Sequence, residues 1–483
     1  MVARTGAGES ASPAIRVGLA AVLVSICAAY GPVLSLDHLG WDTWPLLLTS
    51  RVESLGDLAG SFTEKLMDGR YPHGDFYRPV LSLSIALDGA IWGTRAFGFH
   101  LTDLLLLLLS TLAVYALGRR LLGDAWAALA ACALFALHPL HFVSLPATAR
   151  RADMLANLFT LLALLRLPAR GGGSGWGAGL LALLAVGSKE SGVLAVPLLA
   201  VLATVEDEGD RPQRIRAALS AAAPAVALVA LFLGARALVL GGMGGHAGTS
   251  LVSGVLRTPG LILLFVPMLL MPQPVGGPQV LAGLALALLL IVASFVFTVR
   301  SPGAVRSLWV SGSWGGALLI LSGVSGDRAP WYVSSLLPAY ALAFGALVAG
   351  VRSGWDGAPR PRQLAGAAVA VLLAIAPLRY SGLFERYPQW ERLSSESSVF
   401  LADLQERIEA AEPGGAVVRV SGLPQRAPRR RPVGVYGAGG LAPYSVQAWA
   451  EVALPERRVR VLAQDPVQIA DDEVVVVLVG AEP

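Results

Sequence analysis

What most constrains this chain is a series of apolar runs, recurring from Ala14 to Leu378, each of a length suited to crossing a lipid bilayer. A hydrocarbon core about 30 Å thick takes roughly 20 apolar residues per helical span. With 55% hydrophobic and 14% charged residues and a mean hydropathy of +0.62, an ordinary soluble fold is excluded. The expectation is an α-helical polytopic membrane protein, water-soluble in composition only after Phe384. The first span, Ala14 to Leu36, follows a short polar tail without a cleavage signature and reads as a retained anchor.

A long polar segment, Asp37 to Arg78, follows that anchor. Further spans are expected near Phe97–Leu117, Ala125–His138, Met154–Leu165, Trp176–Val186, Val193–Val205, Ala217–Leu240, Val280–Thr298, Ser307–Val324, Trp331–Val348 and Leu364–Leu378. Cytoplasmic loops are enriched in Lys and Arg. With the N-terminus inside, the inner loops hold Arg119, Arg120, Arg166, Arg170, Arg211, Arg214, Arg216, Arg300, Arg306, Arg352, Arg360 and Arg362. That alternation requires the proline-broken run Pro259–Pro274 not to cross, so it reads as re-entrant or as a partial helix packed in protein. About eleven spans remain by the length rule. In this arrangement all six histidines (His38, His73, His100, His138, His141, His246) and both lysines (Lys65, Lys189) face outward. Longer outer loops account for part of that asymmetry.

Several function classes fall away. The pI near 9.2 comes from arginines spread over loops rather than from a basic stripe with interleaved aromatics, so nucleic acid is not an expected partner. Cys27 and Cys132 lie inside apolar spans and read as small buried hydrophobes. Gly241–Gly245 follows no strand and is no nucleotide fingerprint. After Phe384 come an amphipathic stretch, Trp390–Ala411, the β-like runs at Val417, Arg458 and Glu473, and an Arg/Pro loop at Arg426–Pro432. These predict a small α/β domain on the outer side.

Ionisable groups near apolar spans are expensive and are functional candidates by default. Four clusters qualify: Asp42 between Trp41 and Trp44; Arg78 with Asp75; His138, His141 and the following Arg151 and Asp153; and Lys189 with Glu190. Interfacial tryptophans mark headgroup depth. A carboxylate held there is a general-base candidate toward a hydroxyl, and equally an N-cap for the next helix. His138 and His141, at i and i+3 around Pro139, read as a polar wall or phosphate contact ahead of a zinc pair. Arg151 and Asp153 are candidates for a mutual ion pair. Lys189 and Glu190, being adjacent, point in different directions on a helix, which leaves the lysine available for a lipid phosphate. A divalent ion among Asp42, Glu64, Asp68 and the histidines stays open.

These stretches together resemble the GT-C superfamily of integral-membrane glycosyltransferases. The residues concerned are FYRPVLSLSIALDGAIWG, FGFHLTDLLLLLL, FALHPLHFVSLPATARRADMLANLFTLLALL and VGSKESGVLAVPLL, behind a first outer loop that opens on an acid. The nearest branch is that of the transmembrane O-mannosyltransferases with tetratricopeptide repeats and their bacterial relatives, over roughly Trp41–Leu240. The resemblance implies an outward-facing transferase with a polyprenyl-phosphate sugar as donor, no tightly bound cofactor, and a protein, lipid or glycan acceptor. It implies inversion at the sugar. Asp42 takes the position of the presumed base, and Arg78, His138, His141, Arg151, Asp153, Lys189, Glu190 and Arg328 take donor-binding positions. Thr43 and Val143 stand where many relatives carry acids, and the tetratricopeptide repeats are replaced by the α/β segment. The implied organisation is a GT-C-like membrane domain over 1–381, with a first extracytoplasmic loop over 37–96, and a small extracytoplasmic domain over 382–483. Localisation follows as the cell (inner) membrane, N-terminus cytoplasmic. A lipid-linked-sugar transporter or flippase, and an inactive membrane scaffold, are the competing classes.

Overall fold

The computed structural model describes residues 12–71, 74–168, 175–242, 244–246, 251–270, 277–298, 301–325, 330–353, 360–379, 383–410, 416–419, 440–457, 459–462 and 474–477. Helix α1 (Pro13–Tyr30) starts where Pro13 fills a first-turn position and Ser12 accepts the Ile15 N–H at 3.4 Å. A 3-10 turn, Gly31–Ser35, leads into an outer segment with α2 (Thr43–Thr49), α3 (Leu55–Thr63) and β1 (Gly74–Asp75), which pairs antiparallel with β2 (Gly245–His246).

The bundle continues with α4 (Pro79–Trp92), α5 (Ala96–Leu122), α6 (Ala125–Ala136), the short α7 (His141–Ser144), α8 (Arg151–Arg166), α9 (Trp176–Ser188), α10 (Ala195–Glu206) and α11 (Arg211–Leu240). Then come α12 (Leu251–Leu270), α13 (Gly277–Thr298), α14 (Pro302–Ser325), α15 (Pro330–Ser334), α16 (Leu337–Ser353) and α17 (Arg360–Arg379). Among the described residues six stretches are long and apolar enough to cross a membrane: Pro13–Ser35, Ala96–Leu122, Ala125–Ser144, Arg211–Leu240, Val280–Thr298 and Pro302–Ser325. Shorter apolar helices stand beside them, so the chain is a multi-pass membrane protein.

Sequential helices pack as hairpins. At the α5–α6 corner Gly123 adopts φ 70° and Asp124 accepts the N–H groups of Trp126 and Ala127 at 2.8 and 3.1 Å. The most closely packed neighbours are α8 with α9, α5 with α6, and α14 with α16. The segment expected to be re-entrant or partial is a 20-residue helix, α12, which runs through Pro259 and Pro267 and packs on α13 and α14. Neighbouring helices make such prolines tolerable at membrane depth. Residues 271–276 lie outside the described residues.

Beyond the bundle lie α18 (Leu383–Ala410), β3 (Ala416–Arg419), α19 (Pro443–Ala453), β4 (Val459–Leu462) and β5 (Val474–Val477). The strands form a parallel sheet in the order β4-β3-β5. Parallel neighbours need a crossover, and α19 lies in the β3–β4 connection and packs on β4. Leu401, Leu404 and Ile408 of α18 and Val446, Trp449 and Ala450 of α19 form a separate apolar cluster, against which Trp44 of the outer segment packs. The C-terminal elements thus sit directly on the loop that carries Asp42.

Candidate active site

The loop before α2 is anchored on both sides. His38 is buried, bonds the Thr94 carbonyl through Nε2 at 3.0 Å, and meets Trp44 and Phe99 edge-on at 5.1 and 5.2 Å. Burial, followed by the charge of His100, pushes its pKa down to about 3, so it is a neutral packing group. Thr43 donates from Oγ1 to the Leu39 carbonyl at 2.6 Å. Asp42 stands at the N-cap position of α2, but its side chain makes no capping bond. Its Oδ1 instead accepts the hydroxyl of Tyr444, on α19, at 2.6 Å. Ser445 donates to the Trp41 carbonyl, and Arg70 grips Glu451 with paired bonds of 2.9 and 3.0 Å.

Asp42 has no ion-pair partner among the described residues. Burial raises its pKa, against the opposing effects of the Tyr444 hydroxyl and of the charges on Arg78 and Arg150. The same burial, together with the Asp42 charge, pushes the Tyr444 hydroxyl up. The result is a carboxylate kept free of salt bridges in a partly dry, positively biased setting, the condition in which a carboxylate is a competent base.

The remaining candidates among the described residues gather at the same end of the bundle, each tied to a partner. Arg78 precedes α4, lies over the Phe76 ring at 4.5 Å, and donates to Glu190 from Nη2 at 2.7 Å and Nε at 3.2 Å. Glu190 also receives Arg236 of α11 at 2.9 Å. Burial works against the charge on Glu190, yet the two guanidiniums hold its pKa down to about 2. Two cations on one carboxylate leave that triad net positive. Lys189 ends α9, bonds both oxygens of Asp153 at 2.6 and 2.7 Å, and lies 4.5 Å from the Tyr332 ring centre. Asp153 accepts a third bond from Ser335 at 3.1 Å.

Arg151 and Asp153 do not pair with each other. Two residues apart on α8, they face different ways, and Arg151 reaches Asp88 and Asp103 at 2.6 Å each, the Phe99 carbonyl at 2.9 Å and Ser84 Oγ at 3.1 Å. It is fully buried and pins α4, α5 and α8 together. His138 bonds the Leu269 carbonyl at 2.8 Å and His141 the Phe135 carbonyl at 2.8 Å. Each imidazole thus serves a backbone carbonyl. Among the described residues no group of three or more His, Cys, Asp or Glu is placed to hold a metal ion. Arg328 lies outside the described residues.

Sequence reasoning passed over Asp88, Asp103, Arg236 and Tyr444. The first three carry a visible signal, a charge inside an apolar helix. Tyr444 carries none, because its link to Asp42 spans most of the chain.

Known proteins share this architecture and part of this sequence. Residues 73–234 match the model of the family described as dolichyl-phosphate-mannose-protein mannosyltransferase. The chain is 43% identical over 91 residues to the protein O-mannosyl-transferase Tmtc2 of Drosophila melanogaster, a match covering 19% of this chain and 10% of that protein. It is 36% identical over 134 residues to TMTC2 of Homo sapiens, covering 26% of this chain and 16% of that protein. Only that small fraction of the curated relatives' length is matched. The crystal structure of ArnT from Cupriavidus metallidurans in the apo state superposes with a TM-score of 0.50 at 15% identity, covering 93% of this chain and 90% of that one. The likeness to that structure is one of fold and runs along nearly the whole chain, well beyond the residues of the sequence match.

Proposed function

We propose that this protein is a GT-C-type membrane glycosyltransferase that moves a sugar from a polyprenyl-phosphate carrier to a hydroxyl acceptor, with Asp42 as general base. The observation that carries this reading is the Asp42 carboxylate itself: without an ion-pair partner among the described residues, raised in pKa by burial, and facing a hydroxyl donor at 2.6 Å. Tyr444 makes the contact that an acceptor hydroxyl would make. The matched family's description names a mannosyl group on dolichyl phosphate and a protein acceptor, which supports a polyprenyl-phosphate donor and a protein among the acceptors.

Asp42 takes the acceptor proton as the acceptor oxygen attacks the anomeric carbon. The bond from that carbon to the phosphate oxygen breaks, and its electron pair leaves with the polyprenyl phosphate. A lipid phosphate is already a good leaving group, so the chemistry asks for one base and cationic stabilisation. Direct displacement inverts the anomeric centre. The net positive Arg78–Glu190–Arg236 triad supplies part of the field at the donor.

Orientation belongs to the same proposal. Helix α5 places His100 and Asp103 near the site and Arg119 and Arg120 toward its far end, about 25 to 30 Å away at 1.5 Å per residue. At that far end Arg120 pairs with Glu206 and Arg352 with Asp124. Basic residues at cytoplasmic ends support an outward-facing site, a cytoplasmic N-terminus and extracytoplasmic C-terminal elements in the inner membrane.

The test is sugar release from a panel of polyprenyl-phosphate sugars in reconstituted vesicles. Native protein should turn over one donor, and Asp42→Asn should lose at least ~100-fold in rate, as expected for a lost general base. Equal rates in the two proteins would remove Asp42 from the chemistry. Movement of donor across the vesicle without sugar release would make the protein a transporter.

A further inference from the structure

The site holds one buried cation whose hydrogen bonding is incomplete. Among the described residues at this end of the bundle, Arg78 and Arg236 share Glu190, Lys189 is held by Asp153, and Arg151 is held by Asp88 and Asp103. Arg150 has no carboxylate partner among the described residues. It is 7% exposed. Its Nη1 donates to the Val143 carbonyl, its guanidinium lies 4.5 Å from the Trp331 ring centre, and its Nη2 is buried without any partner.

An arginine fixed on one edge by a carbonyl and on one face by an indole is preorganised, with the remaining edge open. Leaving a buried charged donor unmade costs free energy that a suitable acceptor returns. That acceptor must be anionic and planar-forked or tetrahedral, because the guanidinium keeps its charge: burial lowers its pKa only to about 10. Position narrows the choice further. The 3-10 turn Thr148–Arg150 packs against α2, whose N-cap is Asp42, and each of the two charges acts on the other. In a direct displacement the base and the departing phosphate must both lie within reach of one anomeric carbon. With Asp42 on the acceptor side of that carbon, Arg150 is, among the described arginines and lysines at this end of the bundle, the one with a buried edge left without a hydrogen-bond partner.

We propose that Arg150 is a donor-binding residue that takes a phosphoryl oxygen of the lipid carrier through Nη2, an assignment that rests on the transferase reading above. It gives the phosphate a dedicated cation, whereas Arg78, Arg151 and Lys189 already spend their charge on carboxylates. As the anomeric carbon–oxygen bond breaks, charge accumulates on the phosphate that Arg150 holds. Binding and departure are therefore served by one residue.

The test measures binding of a sugar-free polyprenyl phosphate to purified full-length protein in nanodiscs, with the polyprenol of equal length as control. Native protein and Asp42→Asn should bind the phosphate and not the alcohol. Arg150→Met, which keeps side-chain length against Trp331, should lose at least ~10-fold in affinity, the worth of a charged hydrogen bond, with an unchanged melting temperature. Should that variant fail to fold, Arg150→Lys, which keeps the charge and loses the fork, should bind measurably more weakly. Unaltered affinity in the folded variant overturns the proposal. Displacement of the lipid by inorganic phosphate at equal concentration overturns it too, by showing a general anion site. If native protein binds no polyprenyl phosphate at all, the transferase reading fails first, and the result is distinguishable because no variant is involved.

Discussion

At the scale of single residues, the site is a contest between burial and charge. Asp42 and Glu190 lie at the same end of the bundle and are driven in opposite directions: burial raises the first, while two arginines overcome burial and hold the second at about 2. Of the two, the first is the better placed to take a proton. The Tyr444 hydroxyl stabilises the ionised form of Asp42, so removing it should raise the Asp42 pKa further. A base works when ionised, so its rate is lost as pH falls through its pKa. Tyr444→Phe should therefore move the acidic limb of the kcat/KM profile to higher pH and leave the plateau at alkaline pH near native. A limb that stays in place, read from sugar release across a pH series, would show that Tyr444 does not act on the base. Asp42 was legible in the sequence as a carboxylate between tryptophans, but its two local roles, cap and base, were not separable there. The structure shows that the side chain makes no capping bond. The pairing of Arg151 was not legible, because a neighbour two positions along a helix is nearer in sequence than in space, and its true partners Asp88 and Asp103 sit on other helices.

At the scale of elements, apolar run length was sufficient to find most of the helices, and alternation to find the three C-terminal strands. It gave no access to the turns that aim the charged groups. The clearest of these is Glu190–Leu194, a 3-10 turn folded tightly onto the end of α9. A Cβ added at Gly192 would meet the Ala185 carbonyl carbon at 2.1 Å and its oxygen at 2.2 Å. No rotamer relieves a clash with backbone, so the turn itself would have to move, taking Lys189 and Glu190 with it. Gly192→Ala is expected to destabilise the protein by about 1 to 3 kcal/mol, the range for forced overpacking, and to lower activity more than stability alone explains. The measurement is thermal unfolding in detergent beside sugar release at a temperature where both proteins are folded. Native-like values in both would mean that the turn tolerates a wider approach. The α18 and α19 elements follow the same logic: their strands were visible in the sequence, while the contacts that bring Tyr444 and Glu451 onto the outer loop arise only from tertiary packing.

At the scale of the whole molecule, two populations of charge occupy opposite ends of the bundle. One end holds carboxylates and cations locked in pairs around Asp42; the other holds arginines that meet Glu206 and Asp124. The arginine asymmetry was fully legible in the sequence, because loop charge sets topology without any need for tertiary contacts. The pairing that turns the other end into a site was not, because it joins α4, α5, α8, α9 and α11. This polarity makes a prediction about sidedness. In a background with Cys27 and Cys132 replaced by serine or alanine, a cysteine at Glu53, exposed in the outer segment, should react with a membrane-impermeant maleimide added to intact cells. A cysteine at Arg214, exposed at the start of α11, should react only after the membrane is opened. The reverse pattern would turn the molecule over and put Asp42 on the cytoplasmic face, where an extracytoplasmic acceptor could not reach it. Labelling at both positions without permeabilisation would mean that Arg211–Leu240 does not follow the alternation that the arginines prescribe. The expected pattern would instead put Asp42 on the outer face, where the proposed transfer requires a donor held in the bilayer and an acceptor outside the cell to meet.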